Sequence, residues 1–189
     1  MRNDIRIIAG EWRSRRLRFP AAEGLRPTPD RVRETVFNWL RDVIEGARCL
    51  DLFAGSGALG FEAASRGAAS VVQVDAAEKV CAALRQNCSV LAADDRIRVI
   101  RDQARGYLTG PAEPFDVVFL DPPFRRGWLQ PLCQMLESRG WLAPVAHIYL
   151  ECERELRLTD LPPTWNPYRR GEAGEVAYAL YQRISRTVA

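Results

Sequence analysis

The sequence predicts an α/β domain built on a mostly parallel β-sheet with helices on both faces. Two observations support this prediction. Apolar runs of strand length alternate along the chain with segments of helical periodicity, a pattern typical of parallel sheets. In addition, the apolar run Cys49–Phe53 leads directly into a glycine turn with glycines at positions 55, 57 and 60, followed by a helical segment. Strand, glycine turn and helix in this order indicate a nucleotide-cofactor site.

At the start of the chain, residues 1–24 are expected to form a small basic β-hairpin extension, and residues 25–189 the main domain. Gly10 marks the turn, and Arg16–Phe19 alternates polar with apolar side chains. A hairpin of this size is not stable alone, so it must pack on the main domain or on a ligand. Its arginines, with Trp12 and Phe19 between them, suit RNA through phosphate contacts and base stacking.

The next segment predicts an amphipathic helix. Thr28 suits the N-cap and Pro29 the first helical position. Apolar side chains recur with helical spacing and are expected to face the core, namely Val32, Val36, Trp39, Leu40 and Val43. The charged side chains of Arg31, Arg33 and Glu34 are expected on the other faces.

The remaining elements alternate in type. Strands are predicted at 49–53, 70–75, 96–101, 115–120, 147–152, 165–170 and 175–182. Helices are predicted at 58–65, 77–91, 104–108 and 128–138. The last two strands are joined at Gly171–Gly174 and should form an antiparallel hairpin, which gives seven strands in the main sheet.

Acidic residues stand at the carboxyl ends of four predicted strands, at Asp51, Asp75, Asp102 and Asp121. The carboxyl ends of parallel strands share one edge of the sheet, where ligands bind. These four carboxylates are therefore expected to line one rim. An acid at the place of Asp75 suits the ribose hydroxyls of either NAD or S-adenosylmethionine.

Charge and composition indicate which kinds of partner this protein binds and where it is located. The net charge is only +3, but residues 1–41 hold ten arginines against five acids. Arginine offers a planar fork for phosphates and base edges, so this segment indicates a polyanionic partner, although a solvated surface would have the same composition. Neither a bilayer-spanning apolar stretch nor a secretory signal is evident, so a cytoplasmic protein is expected.

The five cysteines predict reduced core thiols. Their number is odd, they show no Cys-x-x-Cys spacing, and His147 is the only histidine. We therefore expect no metal site and a structural role for His147.

The tetrapeptide Asp121-Pro122-Pro123-Phe124 directly follows the predicted buried strand Phe115–Leu120. Nicotinamide dehydrogenases have no use for it, whereas amino-methyltransferases with a Rossmann-like fold do. Together with Arg6–Gly10, Leu25–Leu40, Leu50–Gly60, Asp121–Gly127 and Gly140–Leu142, it makes the chain resemble the RsmD-type family of bacterial methyltransferases over nearly its whole length. A small departure from the family pattern is Pro29, where a second Thr or a similar residue is expected.

The resemblance implies a Rossmann-like class I methyltransferase that uses S-adenosylmethionine. The family methylates the exocyclic N2 of one guanine, at position 966 of 16S ribosomal RNA. The implied partner is therefore 16S rRNA or the assembling small ribosomal subunit. A monomer is the default expectation.

The resemblance also implies three sets of site residues. The cofactor would be held by Asp51, Phe53, Ala54, Gly55, Ser56, Gly57, Asp75, Asp102, Gln103 and Asp121. Methyl transfer would take place at Asp121, Pro122, Pro123 and Phe124. RNA would be bound by Arg13, Arg15, Arg16, Arg18, Arg26, Thr28, Arg31, Arg33, Arg125 and Arg126.

Other functions stay open. The tetrapeptide also suits other planar nitrogens, such as adenine N6 in DNA or a glutamine side chain. The arginine-rich N-terminus disfavours those substrates. An inactive RNA-binding Rossmann module is a further alternative, which the intact glycine turn, Asp75 and the tetrapeptide disfavour. A nicotinamide dehydrogenase is another alternative, which the tetrapeptide disfavours.

Overall fold

The structure, a computed structural model, describes residues 3–21, 27–156 and 160–185. Arg26, one of the expected RNA contacts, lies outside the described residues, and so does the expected boundary between residues 24 and 25. The strands are β1 (Asp4–Arg6), β2 (Arg16–Arg18), β3 (Arg48–Asp51), β4 (Ser70–Asp75), β5 (Ile97–Arg101), β6 (Phe115–Leu120), β7 (Leu142–Glu153), β8 (Trp165–Ala173) and β9 (Val176–Ile184). The helices are α1 (Asp30–Trp39), α2 (Ala58–Ser65), α3 (Glu78–Leu91), α4 (Ala104–Tyr107) and α5 (Leu129–Ser138).

Seven strands form the main sheet, in the order β5-β4-β3-β6-β7-β9-β8. The five strands from β5 to β7 are parallel, whereas β9 pairs antiparallel with both β7 and β8. Strands β1 and β2 pair antiparallel beside this sheet. The prediction of a mostly parallel seven-stranded sheet with a small N-terminal hairpin is therefore confirmed.

Strand β7 differs most from its prediction. It starts at Leu142, five residues before the expected start, and it pairs with β9 from Val145 to Glu153. Its first half contains Pro144 and the exposed Val145, so it lacks the apolar pattern of a buried strand. The pairing with β9 is a tertiary contact that local sequence does not reveal.

Helices cover both faces of the sheet. Successive strand residues point to opposite faces. Cys49 and Val117 accordingly pack with α1, α2 and α3, while Leu50 and Val118 pack with α4 and α5. None of the helices in the described residues is long and apolar enough to cross a bilayer.

The N-terminal hairpin is part of the main core. Ile5, Ile7, Trp12 and Leu17 are buried in the same cluster as α1, α2 and α3. The guanidinium carbon of Arg96 lies 4.6 Å from the centre of the Trp12 ring. The expectation that Trp12 stacks on RNA is therefore wrong, because the ring is covered by the protein itself.

Helix α1 begins one residue later than expected. Pro29 occupies the N-cap and no side chain caps the helix, so the N-cap role expected for Thr28 is wrong. Val32, Val36 and Leu40 are buried as expected. Phe37 is also fully buried, whereas Trp39 and Val43 are only partly buried against the core.

Arg33 was expected on an outer face of α1, and this placement is wrong. Its side chain is 1% exposed, and one guanidinium nitrogen lies 3.5 Å from a carboxylate oxygen of Glu62, which is fully buried in α2. Arg33 also donates to the carbonyls of Thr28 at 3.2 Å and Arg6 at 2.9 Å. The buried ion pair thus joins α1 to α2, and the hydrogen bond to the Arg6 carbonyl joins α1 to the end of β1.

Glu62 continues this network into the chain that follows β1. Its carboxylate accepts the backbone N–H groups of Ile8 at 2.8 Å and Ala9 at 3.0 Å, and the Arg66 side chain at 2.7 Å. Gly10 fits closely beside α2, since a Cβ there would lie 1.8 Å from the Ser65 carbonyl oxygen. The carboxylate therefore holds the hairpin, α1 and α2 together.

All five cysteines are unpaired and buried, as expected for reduced core thiols. Burial raises the pKa of both Cys88 and Cys133 to about 12. His147 is also buried, and burial lowers its pKa.

Replacement of Arg33 by methionine should destabilise the protein by about 3 kcal/mol, because it leaves a buried carboxylate short of its partner. Arg31 is exposed and lies two residues earlier in the same helix. Its replacement by methionine should alter stability by less than about 0.5 kcal/mol. Urea unfolding followed by circular dichroism measures both values. Equal midpoints for the two variants would show that the buried pair contributes nothing.

Candidate active site

The carboxyl edge of the parallel sheet gathers the four expected acids. Asp51 ends β3 and Asp75 ends β4, while Asp102 and Asp121 directly follow β5 and β6. The Asp102 N–H donates to the Asp75 carbonyl at 3.1 Å, which places the two loops side by side. The prediction that these acids share one edge is confirmed.

The glycine turn between β3 and α2 is tied to β4 through Asp75. One oxygen of Asp75 accepts the Gly55 N–H at 3.0 Å, and the other accepts the Ala77 N–H at 2.8 Å. Gly57 has a left-handed backbone with φ of 77°, and a Cβ there would lie 2.5 Å from the Phe61 ring. Both the conformation and the close approach require glycine at this position.

Asp51 is a buried acid at the centre of the edge, only 1% exposed. Burial raises its pKa to about 7, against the opposing hydrogen bond from the Phe53 backbone, and the charges of Asp75 and Glu151 raise it further. Its Oδ1 atom has no hydrogen-bond partner among the described residues. A buried acceptor without a partner, beside a glycine turn, suits a cationic ligand group.

The other expected cofactor residues surround this centre. Phe53 is half-buried and meets the Trp128 ring edge-on, with centroids 6.2 Å apart. Ala54 and Ser56 are buried in the turn. Asp102 and Gln103 are exposed, and the Asp102 carboxylate accepts the Gln103 N–H at 2.7 Å.

The loop that follows β6 carries the tetrapeptide. Pro122 is buried, Pro123 is exposed, and the Phe124 ring is 38% exposed at the edge of the site. Arg125 adopts a left-handed backbone with φ of 59°, and its N–H donates to the Glu153 carboxylate at the end of β7. This contact fixes the exit of the loop against the neighbouring strand.

Glu151 is a site residue that the sequence analysis missed. β6 and β7 pair in register at Leu120 and Leu150, so Glu151 lies beside Asp121. Its carboxyl group is 5% exposed and accepts the Tyr149 hydroxyl at 2.7 Å. The sequence did contain a sign of this role, because Glu151 is an acid within the apolar predicted strand 147–152.

Thr28 completes this group. Its side chain is buried close to the carboxyl groups of both Asp121 and Glu151. Burial raises the pKa of Asp121 well above its ordinary value, and the charges of Glu151 and Asp51 add to the effect. Burial raises the pKa of Glu151 as well. The site therefore holds two buried acids, Asp51 and Glu151, and the half-buried Asp121, whose negative charges oppose one another.

The expected RNA contacts divide into exposed and buried residues. The exposed ones are Arg13, Arg15, Arg16, Arg18, Arg31, Arg125 and Arg126. Arg33 is buried, so its expected role as a surface contact for RNA is wrong. Thr28 is mostly buried but lines the cleft beside the hairpin, and its role in RNA binding stays a prediction. Arg33 faces Glu62, and Thr28 faces the carboxyl groups.

A cleft of about 370 Å³ lies beside the basic hairpin, and Thr28 is part of its lining. It lies between β1, β2 and the start of α1, and its polar lining includes Arg6, Arg16, Thr28 and Asp30. Two of these arginines are already paired on the surface, Arg6 with Asp30 and Arg16 with Asp4. Among the described residues, no group of three or more His, Cys, Asp or Glu side chains is arranged to hold a metal ion.

Comparison with known proteins shows close relatives over almost the whole chain. The family described as Conserved hypothetical protein 95 matches residues 5–182. The Escherichia coli protein named Ribosomal RNA small subunit methyltransferase D is 50% identical over 179 residues, covering 95% of this chain and 90% of that protein. The Bacillus subtilis protein named Putative rRNA methyltransferase YlbH is 32% identical, covering 95% of this chain and 99% of that protein.

Solved structures agree with this similarity. The putative methyltransferase yhhF from Escherichia coli superposes with a TM-score of 0.89 at 49% identity, covering 97% of this chain and 99% of that chain. An RNA methyltransferase from Salinibacter ruber, solved with S-adenosyl-L-homocysteine, superposes with a TM-score of 0.64 at 19% identity, covering 87% of this chain and 97% of that chain. The second likeness concerns the fold alone, and it is that of a class I methyltransferase.

Asp51→Asn should make the stability of the protein less sensitive to pH. The folded state holds the Asp51 proton up to about pH 7, whereas the unfolded chain releases it near the ordinary value of 3.8. The stabilisation from the protonated group is therefore complete below pH 3.8 and is lost as the pH rises to about 7. Over this window the wild type should lose up to about 4 kcal/mol more than the variant.

Urea titrations at a series of pH values measure this difference. Asp42→Asn, the same change at an exposed acid, should retain the wild-type dependence on pH. Identical pH dependence in Asp51→Asn and wild type would contradict the assigned protonation of Asp51.

Proposed function

The chain belongs to the Conserved hypothetical protein 95 family, that of the ribosomal RNA small subunit methyltransferase D proteins, and from this premise we propose its reaction. It transfers a methyl group from S-adenosylmethionine to the exocyclic N2 of one guanine in 16S rRNA, the guanine at position 966 in the family. The observation that most supports this proposal is the position of the tetrapeptide. Asp121 and Pro122 stand at the same sheet edge as the glycine turn and Asp75.

The described residues fit S-adenosylmethionine. The unpartnered Oδ1 of Asp51 suits the ammonium group of the methionine part, and the glycine turn allows close approach of the ligand to the backbone. Asp75 would accept hydrogen bonds from the ribose hydroxyls, in addition to the two backbone N–H groups it already accepts. Asp102 and Gln103, beside Asp75 and open to solvent, would meet the adenine.

S-adenosylmethionine, when bound, supplies an electrophilic methyl group on a positively charged sulfur. Asp121 and Pro122 prepare the acceptor. The exocyclic amine of guanine is a weak nucleophile because its lone pair is delocalised into the ring. The Asp121 carboxylate and the Pro122 carbonyl each accept one N–H of the amine, which directs the lone pair towards the methyl group and stabilises positive charge on nitrogen.

Two features of the loop keep these acceptors in place. Consecutive prolines at 122 and 123 restrict the backbone, so the carbonyl of Pro122 is oriented before the substrate arrives. The bond between the Arg125 N–H and Glu153 fixes the other end of the loop. Phe124, partly exposed at the edge, would stack on the base once it has left its own stack.

We also propose the partner and setting of the reaction. The exposed arginines of the hairpin and Arg125 and Arg126 would contact the phosphates of 16S rRNA or the assembling small subunit. A cytoplasmic enzyme is proposed, because bacterial relatives are named for ribosomal RNA. A monomer is proposed as the default state.

Transfer of a labelled methyl group tests the reaction and its acceptor. Incubation with tritiated S-adenosylmethionine and 16S rRNA or small-subunit particles should place label in N2-methylguanosine. Asp121→Asn should reduce turnover by at least about 100-fold, because it removes a charged acceptor of the amine. Cofactor binding, measured by calorimetry, should remain detectable in this variant.

Asp116→Asn provides a matched control on the same strand. Asp116 lies at the opposite end of β6, paired with Arg48, so this change should leave turnover close to the wild-type value. Label in another nucleoside would show that the enzyme methylates a planar nitrogen other than the N2 of guanine. Normal turnover in Asp121→Asn would exclude the proposed mechanism.

Loss of arginine charge tests the role of the hairpin in RNA binding. Deletion of residues 1–19 would remove Ile5, Ile7, Trp12 and Leu17 from the core, so single side chains are the better probe. In Arg13→Gln/Arg18→Gln, binding of 16S rRNA should weaken, and the slope of log K against log salt should fall by about one for each lost phosphate contact.

Filter binding over a series of salt concentrations measures this slope. Arg139→Gln removes one positive charge at the end of α5, on the amino-terminal side of the sheet, and should leave the slope unchanged. An unchanged slope in the hairpin variant would place the RNA elsewhere on the protein.

A further inference from the structure

Gln73 is a fully buried polar side chain that the proposed reaction does not use. It lies two residues before the end of β4, where strand register pairs it with Asp51 of β3. Its neighbours along the strand, Val72 and Val74, are apolar. Burial of an amide is costly unless the amide forms hydrogen bonds, so the contacts of Gln73 indicate its role.

The Gln73 amide reaches the glycine turn that leads into α2. Its Nε2 atom donates to the Gly57 carbonyl at 3.4 Å. The same carbonyl accepts the first hydrogen bond within the helix, from the Phe61 N–H at 2.9 Å. Gly57 is the N-cap of α2 and has a left-handed backbone. Gln73 therefore contacts the residue at which the chain passes from the turn into the helix.

The Gln73 side chain also explains the third glycine of the turn. Gly60 lies within α2 and has no positive φ, so backbone conformation does not require glycine there. A Cβ at this position would lie 2.9 Å from both Cγ and Cδ of Gln73, and closer still to Nε2. The third glycine of such turns commonly allows a helix to pack closely on a strand. Here the helix backbone packs directly on the Gln73 side chain.

Three successive residues of β4 hold the turn in place. The Asp75 carboxylate accepts the Gly55 N–H at 3.0 Å. The Val74 carbonyl accepts the Ala54 N–H at 2.9 Å. Gln73 adds the contact to the N-cap of α2. The turn is therefore fixed to one strand at its beginning and at its end.

We propose that Gln73 is a positioning residue, which fixes the glycine turn of the cofactor site by holding the Gly57 carbonyl, and that residue 60 is glycine to make room for its amide. Gln73 is fully buried between β4 and α2, so it acts on the ligand through the turn. The inference rests on the proposed function, because that function assigns the turn to S-adenosylmethionine. Its effect is expected on cofactor affinity and not on the transfer step at Asp121.

Gln73→Met keeps the length of the side chain and removes its hydrogen-bond donor. The Kd for S-adenosylhomocysteine, measured by calorimetry without RNA, should rise by about five- to tenfold, the size of one hydrogen bond. The KM for S-adenosylmethionine should rise by a similar factor, while kcat at saturating cofactor stays within about twofold of the wild type. Unchanged affinity, or a loss confined to kcat, would overturn the proposal.

Asn87→Leu is the matched control for the loss of a buried amide. The Asn87 side chain is also buried and donates to the Arg18 carbonyl at 2.8 Å, which joins α3 to the hairpin. This change should lower the urea midpoint and leave the affinity for S-adenosylhomocysteine unchanged, because Asn87 does not contact the turn. An equal loss of affinity in the control would show that general destabilisation, and not the position of the turn, causes the effect.

Gly60→Ala tests whether the Gln73 amide occupies the space of a side chain at residue 60. Alone, it should lower the urea midpoint and weaken S-adenosylhomocysteine binding at least as much as Gln73→Met, because the methyl group displaces the amide. In Gly60→Ala/Gln73→Ala the methyl group has room. The loss of stability should therefore be smaller than the sum of the losses in the two single variants.

Binding should stay weak in this double variant, because no amide holds the turn. Additive losses of stability would contradict the assigned contact, and wild-type affinity in the double variant would show that the amide is dispensable. This set of variants keeps the test informative if Gln73→Met fails to fold.

Amide hydrogen exchange in the free protein separates failure of this inference from failure of the proposed function. The N–H groups of Gly55 and Gly57 are both hydrogen-bonded, to Asp75 at 3.0 Å and to the Ala54 carbonyl at 2.7 Å. Their exchange, followed by NMR, should be about tenfold faster in Gln73→Met and unchanged in Asn87→Leu.

This measurement needs neither cofactor nor RNA. Equal exchange in the wild type and Gln73→Met would overturn the positioning role, even in a protein that methylates guanine. Faster exchange in Gln73→Met, in a protein that does not bind S-adenosylhomocysteine, would exclude the proposed function and support the contact between Gln73 and the turn.

Discussion

The buried contact between Glu62 and Arg33 is the interaction on which the rest of the arrangement depends. Removing two charges from water is costly, and the attraction between them repays that cost only when further hydrogen bonds satisfy both groups. Glu62 meets this condition with two backbone N–H groups and Arg66. Arg33 meets it in part, because it donates to the carbonyls of Arg6 and Thr28 and to the Asp30 carboxylate, while its Nη1 atom, which faces Glu62, makes no hydrogen bond among the described residues. Hairpin, α1 and α2 therefore share one polar anchor.

This anchor lies on the path between the expected RNA surface and the acids at the sheet edge. The hairpin bears exposed arginines, while the acids Asp51, Asp121 and Glu151 at the sheet edge are buried or half-buried and negative when ionised. Under the proposed function, the positively charged hairpin binds the RNA backbone and the negatively charged sheet edge receives the target base. A phosphate backbone is attracted to the hairpin and repelled from the acids, so only an uncharged base is suited to enter the edge.

Features encoded by neighbouring residues could be predicted from the sequence. The glycine turn, α2, β4 and β6 follow from local apolar runs and from glycines, and their bounds agree closely with the structure. The placement of Asp51, Asp75, Asp102 and Asp121 also followed, because parallel strands end at one edge. The position of the tetrapeptide could be predicted from its own four residues and the buried strand before it.

Features that depend on distant partners could not be predicted in this way. Helical spacing placed Arg33 outside, but Glu62, a lone acid in the otherwise uncharged helix α2, draws it inward. Trp12 was assigned to RNA, although Arg96, far along the chain, covers it. Glu151 was overlooked because its importance comes from its neighbour in the sheet, β6, and not from its neighbours in sequence.

The buried thiols have a consequence for how opening of this protein can be observed. A thiol reacts as its thiolate, and burial in apolar surroundings keeps the cysteines protonated as well as covered. Cys49 and Cys88 lie in the core with α1, α2 and α3, while Cys133 and Cys152 lie in the core on the opposite face. Alkylation of each cysteine would therefore report separation of its own layer from the sheet, so the native chain carries built-in probes of whether its two cores open together.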